Sequence, residues 1–144
     1  MPDPAPASAV DALAAVARRR YRQVEPDELA GELASGALVV DIRPVEQRTR
    51  DGALLGSVVI DRNVLEWRLD PTSPHRIEGA VPDRRVVVVC NEGYSSTLAV
   101  ATLLDLGLGR ASDLRGGFQA LVAAGLVPGN GAQPPDLSAP SGRI

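Results

Sequence analysis

The clearest hydrophobic feature of the chain is a run without alternation, Val86-Val87-Val88-Val89-Cys90. An uninterrupted β-branched run of this length predicts a strand buried on both faces, as in a parallel sheet. Leu38-Val39-Val40-Asp41-Ile42 reads the same way, and residues 58–60 and 112–114 read as shorter strands. Helical spacing fills the intervals. Ser8 with Asp11 makes a helix start, and Val10, Leu13, Ala14 and Ala17 supply an apolar face up to about Arg20. After a short edge strand at Gln23 and Val24, Pro26 suits the first turn of a helix that carries Leu29 and Leu33 and stops near Gly36. Further helices are predicted over residues 96–106 and 117–124, and residues 62–76, which hold Trp67, connect the strand at 58–60 to the valine strand. Such alternation predicts an α/β fold, an open parallel sheet with helices on both faces, plus an extra N-terminal helix over residues 8–20.

The 144 residues and 44% apolar content fit one compact domain, placed at residues 21–128. Residues 1–7 and 129–144 are rich in proline, glycine and other small residues with little to bury, so disordered ends are expected there. The net charge is -3 and lysine is absent. Arg18-Arg19-Arg20 is the nearest approach to a basic patch, and three arginines at a helix C-terminus are explained by the helix dipole. Neither a nucleic-acid partner nor a membrane is therefore expected, and no run approaches the ~18 apolar residues of a spanning helix. A single cysteine excludes an intramolecular disulfide, and the first residues carry no secretory pattern. Both point to a reducing cytoplasm, where the thiol stays free.

That thiol is the candidate chemistry. Cys90 ends the valine strand and opens Asn91-Glu92-Gly93-Tyr94-Ser95-Ser96 ahead of a helix, and ligands of open α/β sheets bind at such strand ends. Gly93 permits a tight turn, and the small Ser95 and Ser96 let successive N–H groups point inward and cap the helix. The loop is then an anion cradle that stabilises a thiolate or persulfide, making Cys90 a nucleophile. The competing reading, a small buried hydrophobe completing a strand, fits a lone cysteine but leaves the loop unexplained.

The loop Cys90-Asn91-Glu92-Gly93-Tyr94-Ser95-Ser96 resembles the active-site loop of rhodanese-domain sulfurtransferases, often Cys-x-x-Gly-x-(Arg or Ser)-Ser. Val39-Val40-Asp41-Ile42-Arg43-Pro44, with Glu46 beyond, is similar to the family's Asp-x-Arg strand end, and Leu114-Arg115-Gly116-Gly117-Phe118 to its Leu-x-Gly-Gly turn. The three motifs occur in family order. The resemblance implies a rhodanese-like sheet and Cys90 as catalytic nucleophile, with residues Asn91, Glu92, Gly93, Tyr94, Ser95 and Ser96 binding substrate. It implies no metal and no organic cofactor. It also implies sulfur transfer from a sulfane donor such as thiosulfate to a thiol or protein acceptor, through a Cys90 persulfide. The chain departs from the family in Gly52-Ala53-Leu54-Leu55-Gly56-Ser57, which lacks a histidine and proline, and in Leu121, where many members have tryptophan. Glu92 puts negative charge beside a site for anions, which predicts a poor thiosulfate enzyme.

Five other residues have a functional and a structural reading. Asp41 and Arg43 read mainly as a structural ion pair, with Arg43 a rim residue in the functional reading. Arg68 is the second rim candidate, supplying positive charge near Cys90, while Trp67 reads as a cap on the core or a wall of the site. His75 stands alone in a loop and makes no metal site. A phosphatase related to this fold would close its loop with an arginine, where this chain has Ser95 and Ser96. The stronger rival is a non-catalytic binding or sulfur-sensing module with an intact cysteine. Oligomeric state is not encoded in any of these motifs.

Overall fold

The computed structural model describes residues 8–127 and 133–139. Four parallel strands form the sheet: β1 (Leu38–Asp41), β2 (Val58–Val59), β3 (Val86–Val89) and β4 (Ala111–Asp113), in the order β2-β1-β3-β4. Val24 extends it by one parallel bridge to Leu114, as expected for a short edge strand. Six helices alternate with the strands: α1 (Ala9–Arg18), α2 (Leu29–Ala34), α3 (Val45–Asp51), α4 (Leu65–Leu69), α5 (Ser95–Asp105) and α6 (Gly117–Ala123). Short 3-10 turns at Pro26–Glu28 and Arg62–Val64 lead into α2 and α4. Among the described residues no helix is long and apolar enough to cross a membrane.

The valine run works because both of its faces are covered. Val86, Val88 and Cys90 join Leu65 and Leu69 of α4 and Ala99, Val100 and Leu103 of α5 in one apolar cluster. Val87 and Val89 point the other way, to Leu29, Leu54, Phe118 and Leu121. Burying each such side chain stabilises the fold by roughly 1.5–3 kcal/mol, so the strand is pinned from both sides and its end is held still. Leu121, where the family often has tryptophan, is filled into this second cluster.

Several expectations need correction. α3 was not predicted, since Val-Glu-Gln-Arg-Thr-Arg-Asp carries no apolar stripe. Trp67 neither caps the core nor walls the site; it is 52% exposed. The tail is the larger difference. Residues 133–139 lie along the free edge of β2: Val59 N–H donates to the Pro135 carbonyl at 2.8 Å and Leu137 N–H to the Val59 carbonyl at 2.7 Å. An edge strand offers unpaired backbone groups to any segment that can reach it, an attraction that composition does not reveal. Residues 1–7, 128–132 and 140–144, which include the remainder of both expected disordered ends, lie outside the described residues.

Arg68 is corrected too. It is buried, its Nε donates to the Leu137 carbonyl at 2.7 Å, and its Nη1 donates to the carbonyl of His75. Its charge ties the tail to the segment after α4 and lines no part of the cysteine cavity described below.

Candidate active site

Cys90 stands one residue beyond β3, and the turn after it folds back over the sheet edge. Gly93 makes that turn with φ +89°, a conformation that side chains rarely adopt, and a Cβ there would sit 2.9 Å from the Gly116 nitrogen. The double-glycine turn is therefore a structural partner of the cysteine loop. Gly117, with φ +65°, leaves so little room that a Cβ would stand 2.5 Å from the Cys90 carbonyl oxygen. The start of α6 then uses its free amides on that loop: Phe118 N–H donates to the Cys90 carbonyl at 2.8 Å and Gln119 N–H to the Asn91 carbonyl at 3.0 Å. Gln119 Nε2 also reaches Asn91 Oδ1 at 3.0 Å.

The cradle forms around sulfur. Gly93 N–H points at Cys90 Sγ from 3.1 Å and Ser96 N–H from 3.4 Å, while Ser96 Oγ stands 3.2 Å from the same atom. Cys90 is only 4% exposed, yet it lines an open cavity of about 380 Å³ together with Ile42, Arg43, Pro44, Gln47, Asn91, Glu92, Tyr94 and Ser95. Five of the seven loop residues expected at the site thus border the cavity, and the other two, Gly93 and Ser96, support the sulfur through their N–H groups. The helix cap differs from expectation. Tyr94 is the N-cap residue of α5 without a side-chain bond, and the Ser96 hydroxyl turns inward instead of capping.

What holds Ser96 was not legible in the sequence. Asp113 at the end of β4, fully buried, has Ser96 Oγ within hydrogen-bond reach at 2.7 Å and Thr97 Oγ1 at 3.1 Å, and accepts from the Tyr21 hydroxyl at 2.9 Å and from Gln23 Nε2 at 3.1 Å. Burial, the largest effect, pushes the Tyr21 hydroxyl well above the ordinary tyrosine range, and the Asp113 charge adds to it. Arg18 arrives from α1, donating from Nη2 to the Gly93 carbonyl and from Nε to Thr97 Oγ1, each at 3.1 Å. Of the three consecutive arginines, Arg18 thus reaches the loop, and Arg20 pairs with Asp105 at 2.7 Å on the surface. The one local hint was Asp113 itself, an acid at a buried strand end beside the cysteine strand, in register Val88 to Asp113.

Arg43 and Asp41 form the expected ion pair. Both side chains are fully buried, with Arg43 Nε and Nη2 donating to the carboxylate, Nη2 also to the Gly52 carbonyl at 2.9 Å, and the guanidinium carbon 3.7 Å above the Phe118 ring. Arg43 borders the cavity, but its charge is spent on Asp41. Glu92 is exposed at the cavity mouth, and Tyr94 beside it is also exposed. Arg50 is held above its ordinary range first by its hydrogen bond to Asp51, with a smaller contribution from Glu92, and the Asp51 carboxyl is lowered chiefly by that same bond. Among the described residues no three His, Cys, Asp or Glu side chains are grouped so as to hold a metal.

Comparison with known proteins gives a consistent picture. The model of the Rhodanese-like domain matches residues 25–124. Thiosulfate sulfurtransferase GlpE of Stutzerimonas stutzeri is 29% identical over 99 residues, which is 69% of this chain and 83% of that protein. The enzyme of the same name from Pseudomonas fluorescens is 32% identical over 100 residues, with the same coverage of 69% and 83%. Among solved structures, RPA3614 from Rhodopseudomonas palustris, described as a protein of unknown function and possible tyrosine phosphatase, superposes with a TM-score of 0.76 at 30% identity, covering 90% of this chain and 99% of that one. The fold is shared as well by thiosulfate sulfurtransferase from Pseudomonas aeruginosa, with a TM-score of 0.67 at 20% identity over 88% of this chain and 24% of that one.

Proposed function

The chain belongs to the Rhodanese-like domain family, and from that premise we propose that it is a sulfurtransferase carrying a sulfane sulfur as a persulfide on Cys90. The observation that carries the reading is the sulfur itself, at the floor of an open cavity with two backbone N–H groups aimed at it. The Cys90 thiolate attacks the outer sulfur of a donor such as thiosulfate. The donor's S–S bond breaks, its electron pair leaves with sulfite, and the outer sulfur stays on Sγ as a persulfide. A thiol or protein acceptor then attacks that outer sulfur, and Sγ departs as thiolate. The amides of Gly93 and Ser96 stabilise the negative charge on Sγ before the first step and after the second, by the logic of an oxyanion hole. No residue of the scheme calls for a metal or organic cofactor. A reducing compartment such as the cytoplasm keeps the thiol available.

The relative described as a possible tyrosine phosphatase raises a second chemistry for this cavity. Phosphoryl transfer needs a guanidinium free to clamp a tetrahedral oxyanion. Arg43 is the sole arginine lining the cavity among the described residues; its Nε and Nη2 are committed to Asp41 and the Gly52 carbonyl, which leaves only the buried Nη1 unpartnered and no pair of nitrogens for a bidentate clamp. Sulfur transfer therefore fits the site better. Mass spectrometry of the purified protein before and after thiosulfate tests it: the expected result is a gain of one sulfur atom, reversed by a reducing thiol and absent in Cys90→Ser. Sulfite release by the serine variant above background would remove Cys90 as the nucleophile. A wild-type protein that takes up no sulfur from any sulfane donor would leave a binding or sensing module.

A further inference from the structure

Two adjacent hydroxyls beneath the sulfur, Ser96 and Thr97, each have one proton and two acceptors within reach. Ser96 Oγ lies 2.7 Å from Asp113 Oδ2 and 3.2 Å from Cys90 Sγ. Thr97 Oγ1 lies 3.1 Å from the same Asp113 Oδ2 and 3.1 Å from the Gly93 carbonyl oxygen. A hydroxyl donates once, so the four contacts cannot all be donated at the same time. We propose that Ser96 and Thr97 form a two-position proton switch, with Asp113 as the shared acceptor, that sets whether the pocket holds Cys90 as thiol or as thiolate. The idea rests on the sulfurtransferase reading for its use in turnover, but not for its existence.

In the first position Ser96 donates to Asp113, so its oxygen is left to accept the thiol proton, and Thr97 donates to the Gly93 carbonyl. In the second position the thiol has lost its proton to water in the open cavity. Ser96 then turns its own proton to the anionic sulfur, and Thr97 turns its proton to the place vacated on Asp113. The Gly93 carbonyl is not orphaned, because Arg18 Nη2 still donates to it. Asp113 keeps a full set of donors in both positions through Tyr21, Gln23 and one of the two hydroxyls. The charged or titratable groups facing the pair are therefore Asp113 from β4, Arg18 and Tyr21 from α1 and the turn after it, and Cys90, with Glu92 at the cavity mouth. Cleavage of the persulfide returns Sγ as a thiolate, so the second position also stabilises the leaving group of sulfur handover. Ser96 touches the sulfur, whereas Thr97 and Asp113 act only through Ser96 and are positioning residues.

The distinguishing consequence concerns Thr97, which makes no hydrogen bond to sulfur. If it cannot donate to Asp113, Ser96 stays committed there and the thiolate loses a donor. Alkylation of Cys90 by iodoacetamide, with no sulfur donor present, reads this directly. At pH 7, Ser96→Ala and Thr97→Val are each expected to slow alkylation about tenfold, the usual effect of one hydrogen bond to a charged group. The double variant should be no slower than either single one, and Thr97→Ser should restore the rate lost in Thr97→Val. At strongly alkaline pH, where every thiol ionises, all the rates should converge. An unaltered rate in Thr97→Val, additive losses in the double variant, or differences that persist at alkaline pH would each overturn the switch. Sulfur uptake from thiosulfate is measured in parallel and decides only the transfer reading, so the two can fail separately.

Discussion

Arg18 donates through Nη2 to the carbonyl oxygen of Gly93 at 3.1 Å, joining a helix outside the family-matched residues 25–124 to the glycine that turns the cysteine loop. The contact gives α1 a task at the site. Gly93 donates one of the two N–H groups aimed at Cys90 Sγ, so a tether on its carbonyl, one peptide further along, helps to hold the turn that places this donor.

Arg18→Ala should loosen the loop without unfolding the sheet. One charge-assisted hydrogen bond to the loop and one to Thr97 are lost, and the expected drop in kcat/KM for sulfur transfer is roughly tenfold. Arg18→Lys should recover only part of it, because an ammonium cannot address the carbonyl and the Thr97 hydroxyl with the same planar fork. Equal activity in Arg18→Ala and wild type would reduce α1 to a packing element.

The Asp41–Arg43 pair predicts a stability effect of a different kind. Arg43→Met keeps much of the volume over Phe118 but leaves the Asp41 carboxylate buried with a single backbone donor, Arg43 N–H at 3.0 Å. Breaking a buried pair from one side costs about 3–5 kcal/mol. Urea denaturation should show that loss in the midpoint at nearly unchanged slope, and replacing both residues with apolar ones should be milder than the single change. A single variant as stable as wild type would contradict the account of Arg43 as a structural node.

These effects separate what sequence can carry from what it cannot. The cysteine loop and the double-glycine turn were legible because each is a local pattern: a strand end, a glycine that needs positive φ, a short approach to a helix. Their mutual contact, Gly93 against Gly116, was no part of that reading, which had the motifs only in order along the chain. Arg18, Asp113 and the tail at residues 133–139 were illegible for a common reason, that each acts on chain far away in sequence. Arg18 reaches 75 positions to Gly93, and nothing in Arg18-Arg19-Arg20 marks the first as different from its neighbours. Arg68 was misread from the same cause: its partners, the carbonyls of Leu137 and His75, carry no side-chain signature.

Tyr21 predicts an alkaline limit. Its hydroxyl is raised above the ordinary value of ~10 by burial first and then by the neighbouring Asp113. Between the ordinary value and the raised one, the unfolded chain has released the proton that the folded chain still holds. Stability from this residue is therefore intact below about pH 10 and falls as pH rises beyond it. Thermal unfolding of wild type and Tyr21→Phe from pH 7 to 11 should show a gap that narrows or reverses in the alkaline range. A constant gap would mean that Tyr21 ionises in the folded protein as freely as in the unfolded chain.

Glu92 offers the sharpest test of what the cavity accepts. It is exposed at the mouth, whereas Arg43, the cavity's arginine, is buried and paired, so an incoming dianion meets a carboxylate that no arginine of the cavity lining compensates. Glu92→Gln keeps the size and removes the repulsion, and kcat/KM for thiosulfate should rise severalfold at low salt. High salt should shrink the gain, because exposed charges are screened beyond about one Debye length. Arg50 works in the opposite sense, since Glu92 contributes to its raised pKa and the two charges partly offset each other. Arg50→Gln should accordingly lower kcat/KM for thiosulfate in wild type and have little effect in Glu92→Gln, while an uncharged donor should respond to neither change. An unchanged or lower kcat/KM for thiosulfate in Glu92→Gln at low salt would mean that the carboxylate points away from the donor's path or serves a positively charged acceptor, and the electrostatic argument against thiosulfate would then be withdrawn.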